Sequence, residues 1–176
     1  MTRPFRILVA GVGNVLKADD GFGVRAIEAL GAAPLPPGVT LIETGIGGIH
    51  LVQELTQGYD ALVVLDAMDR GGVPGSLYLV EPMLPDLATM TDRERRDYFA
   101  DVHYATPVRA LTLAREVGAL PSLVRIIGCQ PLDADTFGTG LTVPVASAIP
   151  AAIAMVHDVI AWVRRKRPAE AALFGR

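Results

Sequence analysis

Acidic and amide side chains follow three apolar segments of this sequence, each near the point where the segment ends. The segments are residues 5–10, 39–43 and 60–67, and the side chains are Asn14, Asp19, Asp20, Glu43 and Asp66. If the segments are parallel strands, their carboxyl ends meet at one edge of a sheet, which is where open α/β sheets bind ligands. We therefore expect these side chains to share one rim.

Carboxylates that converge on one point repel one another unless a cation lies between them or some of them take up a proton. A metal ion is the simpler remedy, and an imidazole would complete its ligands. His103 stands in a loop just before a predicted helix, whereas His50 and His157 lie within predicted helices. Two carboxylates and one imidazole suit a divalent ion such as nickel, zinc or manganese. Asp20, Asp66 and His103 are therefore the candidate metal ligands.

Each candidate also has an ordinary structural explanation. Asp20 can cap the helix that follows it, since Asp is a favoured N-cap residue. Asp66 can close a turn through a hydrogen bond to the backbone, and His103 can be a plain loop residue. Taken together, these explanations leave open why the acids occupy three adjacent strand ends.

The sequence gives less support to two other functions, dinucleotide binding and catalysis by a cysteine nucleophile. Gly11 and Gly13 begin a dinucleotide-binding fingerprint, but the third glycine is replaced by Leu16, and Asp19 and Asp20 would repel a pyrophosphate at the helix N-terminus. Cys129 ends a predicted strand and could be a nucleophile, but no histidine lies near it in sequence. A buried, unreactive thiol is the favoured interpretation.

The elements that must position these residues alternate between strands and helices. The chain has 176 residues, of which 51% are hydrophobic and 20% charged, which is typical of one globular domain with its own core. Apolar runs predict five strands, at residues 5–10, 39–43, 60–67, 76–81 and 123–128. Helical periodicity between them predicts a three-layer αβα sandwich around a mostly parallel five-stranded sheet, with one antiparallel edge strand.

Some segments are predicted more coarsely. Residues 82–101 are expected to form a loop with one short charged helix, and Pro150 is expected to kink the final helix or break it in two. A single domain over 1–176 is predicted, with 164–176 as a loosely ordered tail.

Charge and cysteine content bound the partners and the compartment. The formal net charge is −3, with 16 basic and 19 acidic residues, so we expect no nucleic-acid partner. The single cysteine predicts a reducing compartment. The N-terminal apolar run is too short for a signal peptide, and no uncharged apolar run of about 18 residues is expected to span a membrane. These observations predict a cytoplasmic protein without a membrane partner.

Several motifs resemble those of one enzyme family. "ILVAGVGNVLKADDGFGVRAIEAL" is similar to the opening signature of the nickel-iron hydrogenase maturation endopeptidases, in which a strand leads through G-x-G-N and D-[DE]-x-x-G into the first helix. "ALVVLDAMDRGGVPGSLYLVEP" resembles that family's third strand with its D-A and the strand that follows. The "DVH" loop at His103 and the late "IIGCQP" correspond as well.

The resemblance implies an endopeptidase that removes the C-terminal extension of a nickel-loaded hydrogenase large-subunit precursor. The family's metal-contacting residues, carried over by motif, are Asp20, Asp66 and His103. The metal it implies is divalent, with nickel carried by the substrate favoured over an ion that activates water, and with zinc or cadmium expected to substitute in crystals. The partner is the precursor, and the chain is expected to be a monomer or a weak homo-oligomer. A non-catalytic chaperone that senses metal loading is the alternative function.

Two positions depart from the family pattern. "ETGIGG" places Glu43 and Thr44 where related sequences often have D-G-G-[TS], and Tyr104 follows His103 where Gln or Asn is common. Glu43 and Asp19 are secondary candidates for carrying a proton or orienting the substrate, and Asn14 is a third.

Overall fold

One five-stranded sheet forms the centre of the molecule. The computed structural model describes residues 5–45, 48–100 and 106–171, with side chains to residue 166. The strands are β1 (Ile7–Val12), β2 (Val39–Gly45), β3 (Ala61–Ala67), β4 (Leu77–Val80) and β5 (Leu123–Cys129). Their order is β2-β1-β3-β5-β4, with the first four parallel and β4 antiparallel to β5 at the edge. The predicted fold class is confirmed.

The described residues form five α-helices and two short 3₁₀ turns, which lie between the strands except for the last helix, which follows β5. The helices are α1 (Phe22–Gly31), α2 (Ile49–Leu55), α3 (Asp92–Ala100), α4 (Pro107–Glu116) and α5 (Val143–Ala171). The 3₁₀ turns are Ala18–Gly21 and Leu87–Thr89. The charged helix predicted within 82–101 is α3, all of whose residues are at least partly exposed.

The helices form one layer on each face of the sheet, because successive strand residues point to opposite faces. On one face α1 and α5 pack against the odd-numbered residues of β1 and β3, such as Val9 and Val63. On the other face α2 and α4 pack against the even-numbered residues, such as Ala10 and Val64. Both faces of the central strands are therefore buried, which explains their nearly continuous apolar sequence.

The final helix corrects one expectation. Pro150 neither ends nor divides α5, which runs unbroken over 29 residues. Pro150 lies on the exposed side of the helix, where a carbonyl that has lost its partner can turn to water. Val145 and Ala152, on either side of it, are fully buried against the sheet. Core packing on both sides holds the helix together across the proline.

The length and composition of α5 also have to be compared with those of a membrane-spanning helix. Val143–Lys166 is long and apolar enough to cross a membrane by length and composition, contrary to the expectation from sequence. One such helix is weak evidence of a membrane span, because the core helix of a globular protein has the same composition. In this protein α5 buries a row of side chains in the core beside α1. The absence of a membrane partner and a cytoplasmic location stay predictions. So do the single domain and the loose tail; α5 extends to Ala171, and 172–176 lie outside the described residues.

The strand order creates a crevice between β1 and β3. The chain leaves β1 through α1 to reach β2 on one side, and it returns through α2 to β3 on the other side of β1. Connections that diverge in this way open a crevice at the carboxyl ends of the two strands, where ligands of α/β proteins bind. The fold thus fixes where a site should lie before any side chain is considered.

Gly23 allows α1 to begin directly on this crevice. A Cβ atom at Gly23 would lie 2.1 Å from the carbonyl oxygen of Leu65 in β3 and 2.3 Å from that of Val12 in β1. Only glycine permits the helix backbone to approach both strand ends this closely.

We expect Gly23→Ala to lower the free energy of unfolding by about 1–3 kcal/mol, because the new methyl group must displace backbone of two strands. The matched control is Gly31→Ala at the other end of α1, where the nearest contact is a side-chain atom at 3.4 Å. That control should be neutral or stabilising by up to about 1 kcal/mol. Urea unfolding followed by circular dichroism measures both, and equal stability of the two variants would contradict the close-approach argument.

Candidate active site

Asp20 and Asp66 meet at the crevice between β1 and β3. Asp20 belongs to the 3₁₀ turn that follows β1, and Asp66 is the penultimate residue of β3. The two carboxyl groups are close enough for the charge of Asp20 to raise the pKa of Asp66. The structure therefore brings together two of the three candidate ligands.

Asp66 occupies an environment that disfavours its charged form. Its side chain is partly buried at the end of β3. Burial, and then the negative charge of Asp20, raise its pKa to about 8, although a backbone hydrogen bond from Ala67 acts in the opposite direction. At neutral pH the carboxyl group of Asp66 therefore holds a proton for much of the time. A cation placed beside the two acids would remove the need for that proton.

The loop before Asp20 holds its carboxylate in position. The backbone N–H of Asn14 donates to Asp20 Oδ2 at 2.8 Å, and the Asn14 Oδ1 atom accepts from the N–H of Leu16 at 2.9 Å. Gly13, at φ 135°, lies so close that a Cβ there would be 1.8 Å from the carbonyl oxygen of Asp20. Asn14 therefore lies beside Asp20 and shapes the loop that carries it. The N-cap of α1 is Gly21, so Asp20 is not the capping residue of α1.

Asp19 points into a different environment from its neighbour. It is fully buried, and its oxygens accept hydrogen bonds from the N–H groups of Leu132, Asp133 and Thr142 and from the Thr142 hydroxyl, at 2.7–3.0 Å. These donors belong to the segment between β5 and α5. Asp19 thus ties that segment to the turn after β1.

Glu43 lies on the other face of the sheet from Asp66. In β2 it shares its face with Val39 and Leu41, which pack against the core under α1 and α5. Strand alternation places Asp66 with Leu62 and Val64, on the face of α2 and α4. Glu43 is exposed. The structure therefore does not group Glu43 with the two aspartates.

His103 lies outside the described residues, together with Tyr104. The segment 101–105 immediately precedes α4, which packs on the same face of the sheet as Asp66. Of the other histidines, His50 is exposed in α2 and His157 is exposed in α5. Within 5–45, 48–100 and 106–166, no three acidic, histidine or cysteine side chains form a group that could hold a metal ion. The complete ligand set stays a prediction.

Cys129 does not have the properties of a nucleophile. Its side chain is fully buried in the core beneath α1 and α5. Burial, and then the negative charge of Asp19, raise the pKa of its thiol to about 11. A neutral, inaccessible thiol is unreactive, so Cys129 is a packing residue.

Gln130 organises the loop after β3, a role that the sequence did not reveal. Its buried Oε1 atom accepts from the N–H groups of Arg70 and Gly72, at 2.8 and 3.1 Å, and its Nε2 donates to Asp69 Oδ1 at 2.8 Å. The contact with Gln130 is the main reason that the pKa of Asp69 is lowered. In the sequence, the one indication of this role is that Gln130 stands between a buried strand and a proline in "IIGCQP".

Comparisons with known proteins relate this chain to one family. The model of the hydrogenase maturation protease family matches residues 24–159. The hydrogenase expression/formation protein HupD of Rhizobium leguminosarum bv. viciae is 41% identical over 149 residues, which cover 84% of this chain and 70% of the relative. HoxM of Azotobacter vinelandii is 36% identical over 162 residues, covering 92% of this chain and 74% of the relative.

Solved structures have the same fold. The hydrogenase maturating endopeptidase HybD from E. coli superposes with a TM-score of 0.70 at 28% identity, over 92% of this chain and 94% of that one. The hydrogenase 2 maturation peptidase from Thaumarchaeota archaeon SCGC_AB-539-E09 gives a TM-score of 0.62 at 30% identity, over 88% and 97% of the two chains. The chain therefore belongs to the hydrogenase maturation protease family and is a peptidase.

Proposed function

We propose that this protein removes the C-terminal extension of a nickel-loaded hydrogenase large-subunit precursor, with Asp20, Asp66 and His103 contacting the nickel carried by that substrate. Membership of the family already implies that the protein processes a hydrogenase precursor. The proposal adds three things to family membership: the place of cleavage, the metal, and the three residues that contact it.

The observation that supports the proposal most is the pairing of Asp20 and Asp66 at the crevice. One carboxylate is held by the N–H of Asn14 in the loop after β1, and the other ends β3 on the neighbouring strand. In the metal-free protein these two carboxyl groups cannot both ionise without repulsion. The arrangement becomes favourable when a divalent ion lies between them.

His103 supplies the third contact in this proposal. Its segment leads into α4, on the face of the sheet that also carries Asp66. A set of two carboxylates and one imidazole suits nickel, zinc or manganese. Such a set leaves several coordination positions to other groups, which fits an ion that arrives already bound to a substrate.

In this proposal Asp20, Asp66 and His103 distinguish the nickel-loaded precursor from the nickel-free one. Contact with the ion holds the adjoining part of the precursor at the crevice, so that the bond to be cleaved is presented only when nickel is in place. Asp66 has to give up its proton to make that contact, because a carboxylate binds metal in its ionised form. An ion that belonged to the protein and activated water would instead permit cleavage of a nickel-free precursor.

Cleavage of the purified precursor tests the proposal directly. Incubation of the nickel-loaded precursor with the protein should yield a shortened C-terminus by mass spectrometry, and the nickel-free precursor should stay intact. Asp66→Ala and His103→Ala should reduce the rate at least about 100-fold, since positioning of reacting groups contributes effects of this size. The matched controls Asp158→Ala and His157→Ala, both at exposed positions of α5, and Cys129→Ser should retain activity.

Each contrary outcome has a separate meaning. An unshortened precursor with the unaltered protein would favour the metal-sensing chaperone. Full cleavage by both the Asp66 and His103 variants would show that the site is misassigned. Cleavage of the nickel-free precursor would indicate an ion that belongs to the protein.

Metal binding should stabilise the folded protein. At ten times the dissociation constant, Ni²⁺ or Zn²⁺ is expected to add about 1.4 kcal/mol, which for a domain of this size raises the melting temperature by about 3–6 °C. Differential scanning calorimetry should show this shift for the unaltered protein and for His157→Ala. The shift should be lost in Asp20→Ala, Asp66→Ala and His103→Ala; its survival in all three would contradict the ligand assignment.

Asp66 should make the metal-free protein less stable as the pH rises. Its pKa is about 8 in the folded state, above the ordinary value of 3.8, so between about pH 4 and 8 the folded state binds more protons than the unfolded state. The free energy of unfolding therefore falls across this window. Asp66→Asn cannot ionise, and at pH 8 it should be more stable than the unaltered protein by at least about 1 kcal/mol, or about 2–4 °C, with almost no difference at about pH 3, below the ordinary pKa of an aspartate.

Thermal unfolding of the metal-free protein at several pH values measures this effect. Asp158→Asn, at an exposed position, is the control and should follow the pH dependence of the unaltered protein. An Asp66→Asn variant that is less stable than the unaltered protein at pH 8 would show that the Asp66 carboxylate stabilises the fold.

A further inference from the structure

We propose that a set of exposed apolar side chains next to the crevice binds the folded body of the hydrogenase precursor, and we call this set the apolar platform. Its members are Leu16, Val73, Leu132, Phe137 and Val143. This inference rests on the proposed function, because it names the surface that would receive the same substrate.

The members are large hydrophobic residues that the fold leaves in solvent. Phe137 is 82% exposed, Val143 is 80% exposed and Val73 is 75% exposed, and both leucines are more than half exposed. All of them belong to segments that follow the carboxyl ends of β1, β3 and β5. Clustered apolar exposure of this kind marks a protein interaction site more often than scattered exposure does.

Hydrogen bonds join the segments that carry four of the members. Asp19 accepts from the N–H groups of Leu132 and Thr142, and Thr142 directly precedes Val143. The N–H of Gly138, next to Phe137, donates to the carbonyl of Leu16 at 3.0 Å. The backbone that carries these apolar side chains is thus held in place by hydrogen bonds.

The loop after β3 reaches the same surface from the other side. A Cβ atom at Gly75 would lie 2.6 Å from the carbonyl oxygen of Pro144, the second residue of α5. The N–H of Gly75 donates to the carbonyl of Gln130 at 2.8 Å. The turn that carries Val73 is therefore held close to the start of α5, where Val143 lies.

One residue in the segment that carries Leu16 has an unfavourable backbone conformation. Ala18 has a φ of 38°, which is unfavourable for a residue with a side chain. Its N–H donates to the carbonyl oxygen of Gly138 at 3.0 Å. Asp19, the next residue, is a carboxylate with no exposed surface. Rigid segments lose little conformational entropy when a partner binds, which favours affinity. The structure thus stabilises these segments while leaving their apolar side chains outside.

The position of the platform points to the substrate as its occupant. Leu16 and Asp20 both belong to the connection between β1 and α1, so a partner seated on the platform lies near the two aspartates. A second copy of this chain seated there would cover the crevice and compete with the substrate. A protein substrate, in contrast, can place its folded body on the platform and its C-terminal segment in the crevice.

The test compares two triple variants. Leu132→Ser, Phe137→Ser and Val143→Ser together replace three of the five members of the platform, while the Asp19 network, which uses backbone N–H groups at 132 and 142, is kept. Leu79→Ser, Met83→Ser and Val117→Ser remove three exposed hydrophobics elsewhere on the surface and form the control. Both triple variants, and the single variant Phe137→Ser, should keep the unfolding midpoint and the Ni²⁺-induced thermal shift of the unaltered protein.

The expected result is a change in KM alone. With the nickel-loaded precursor, the platform triple variant should raise KM at least tenfold and change kcat less than twofold, Phe137→Ser should raise KM by a smaller factor, and the control triple should change neither. Calorimetric binding of the precursor in an Asp66→Asn background should show the same tenfold loss of affinity without cleavage.

The outcomes separate this inference from the proposed function. An unchanged KM in the platform variants, with the unaltered protein cleaving normally, overturns the platform and leaves the proposed function standing. If the unaltered protein binds the precursor but does not cleave it, the proposed function fails and the affinity measurement still decides on the platform. If the precursor does not bind at all, both fail. A homodimer in sedimentation that dissociates only in the platform variants would assign the surface to a second copy and overturn the inference.

Discussion

The site depends on two carboxyl groups being held side by side where the connections of β1 and β3 diverge, so that both cannot ionise without repulsion. Asp20 and Asp66 come from different strands, and the proximity of the first helps to raise the pKa of the second to about 8. The surrounding backbone makes this proximity possible: Gly23 lets α1 begin against both strand ends, and Gly13 lets the loop fold back onto Asp20. A fold selected only for stability would have little reason to keep this repulsion.

Two adjacent aspartates show how environment divides the roles of identical side chains. Asp19 is buried and accepts four hydrogen bonds, which offset the cost of removing a carboxylate from water. Asp20 is only partly buried and faces another acid. One residue therefore holds the loops together, while its neighbour faces the second acid at the crevice.

The positions of Asp20 and Asp66 can be predicted from the sequence, because the ends of parallel strands follow from the order of the elements alone. The face on which Glu43 lies cannot, because the order of the elements does not say to which side of the sheet a strand-end residue points. The effect of Pro150 cannot be predicted from propensity, which does not weigh the packing of Val145 and Ala152 against a lost hydrogen bond. The organising roles of Asp19 and Gln130 depend on partners up to 123 residues away in the chain.

The hydrogen bonds to Asp19 have an evolutionary consequence. Three of its four donors are backbone N–H groups, at Leu132, Asp133 and Thr142. Almost any amino acid supplies such a donor, so the shape of this segment is nearly independent of which side chains it carries. Substitutions of the outward-facing residues can therefore accumulate while the path of the loop is retained.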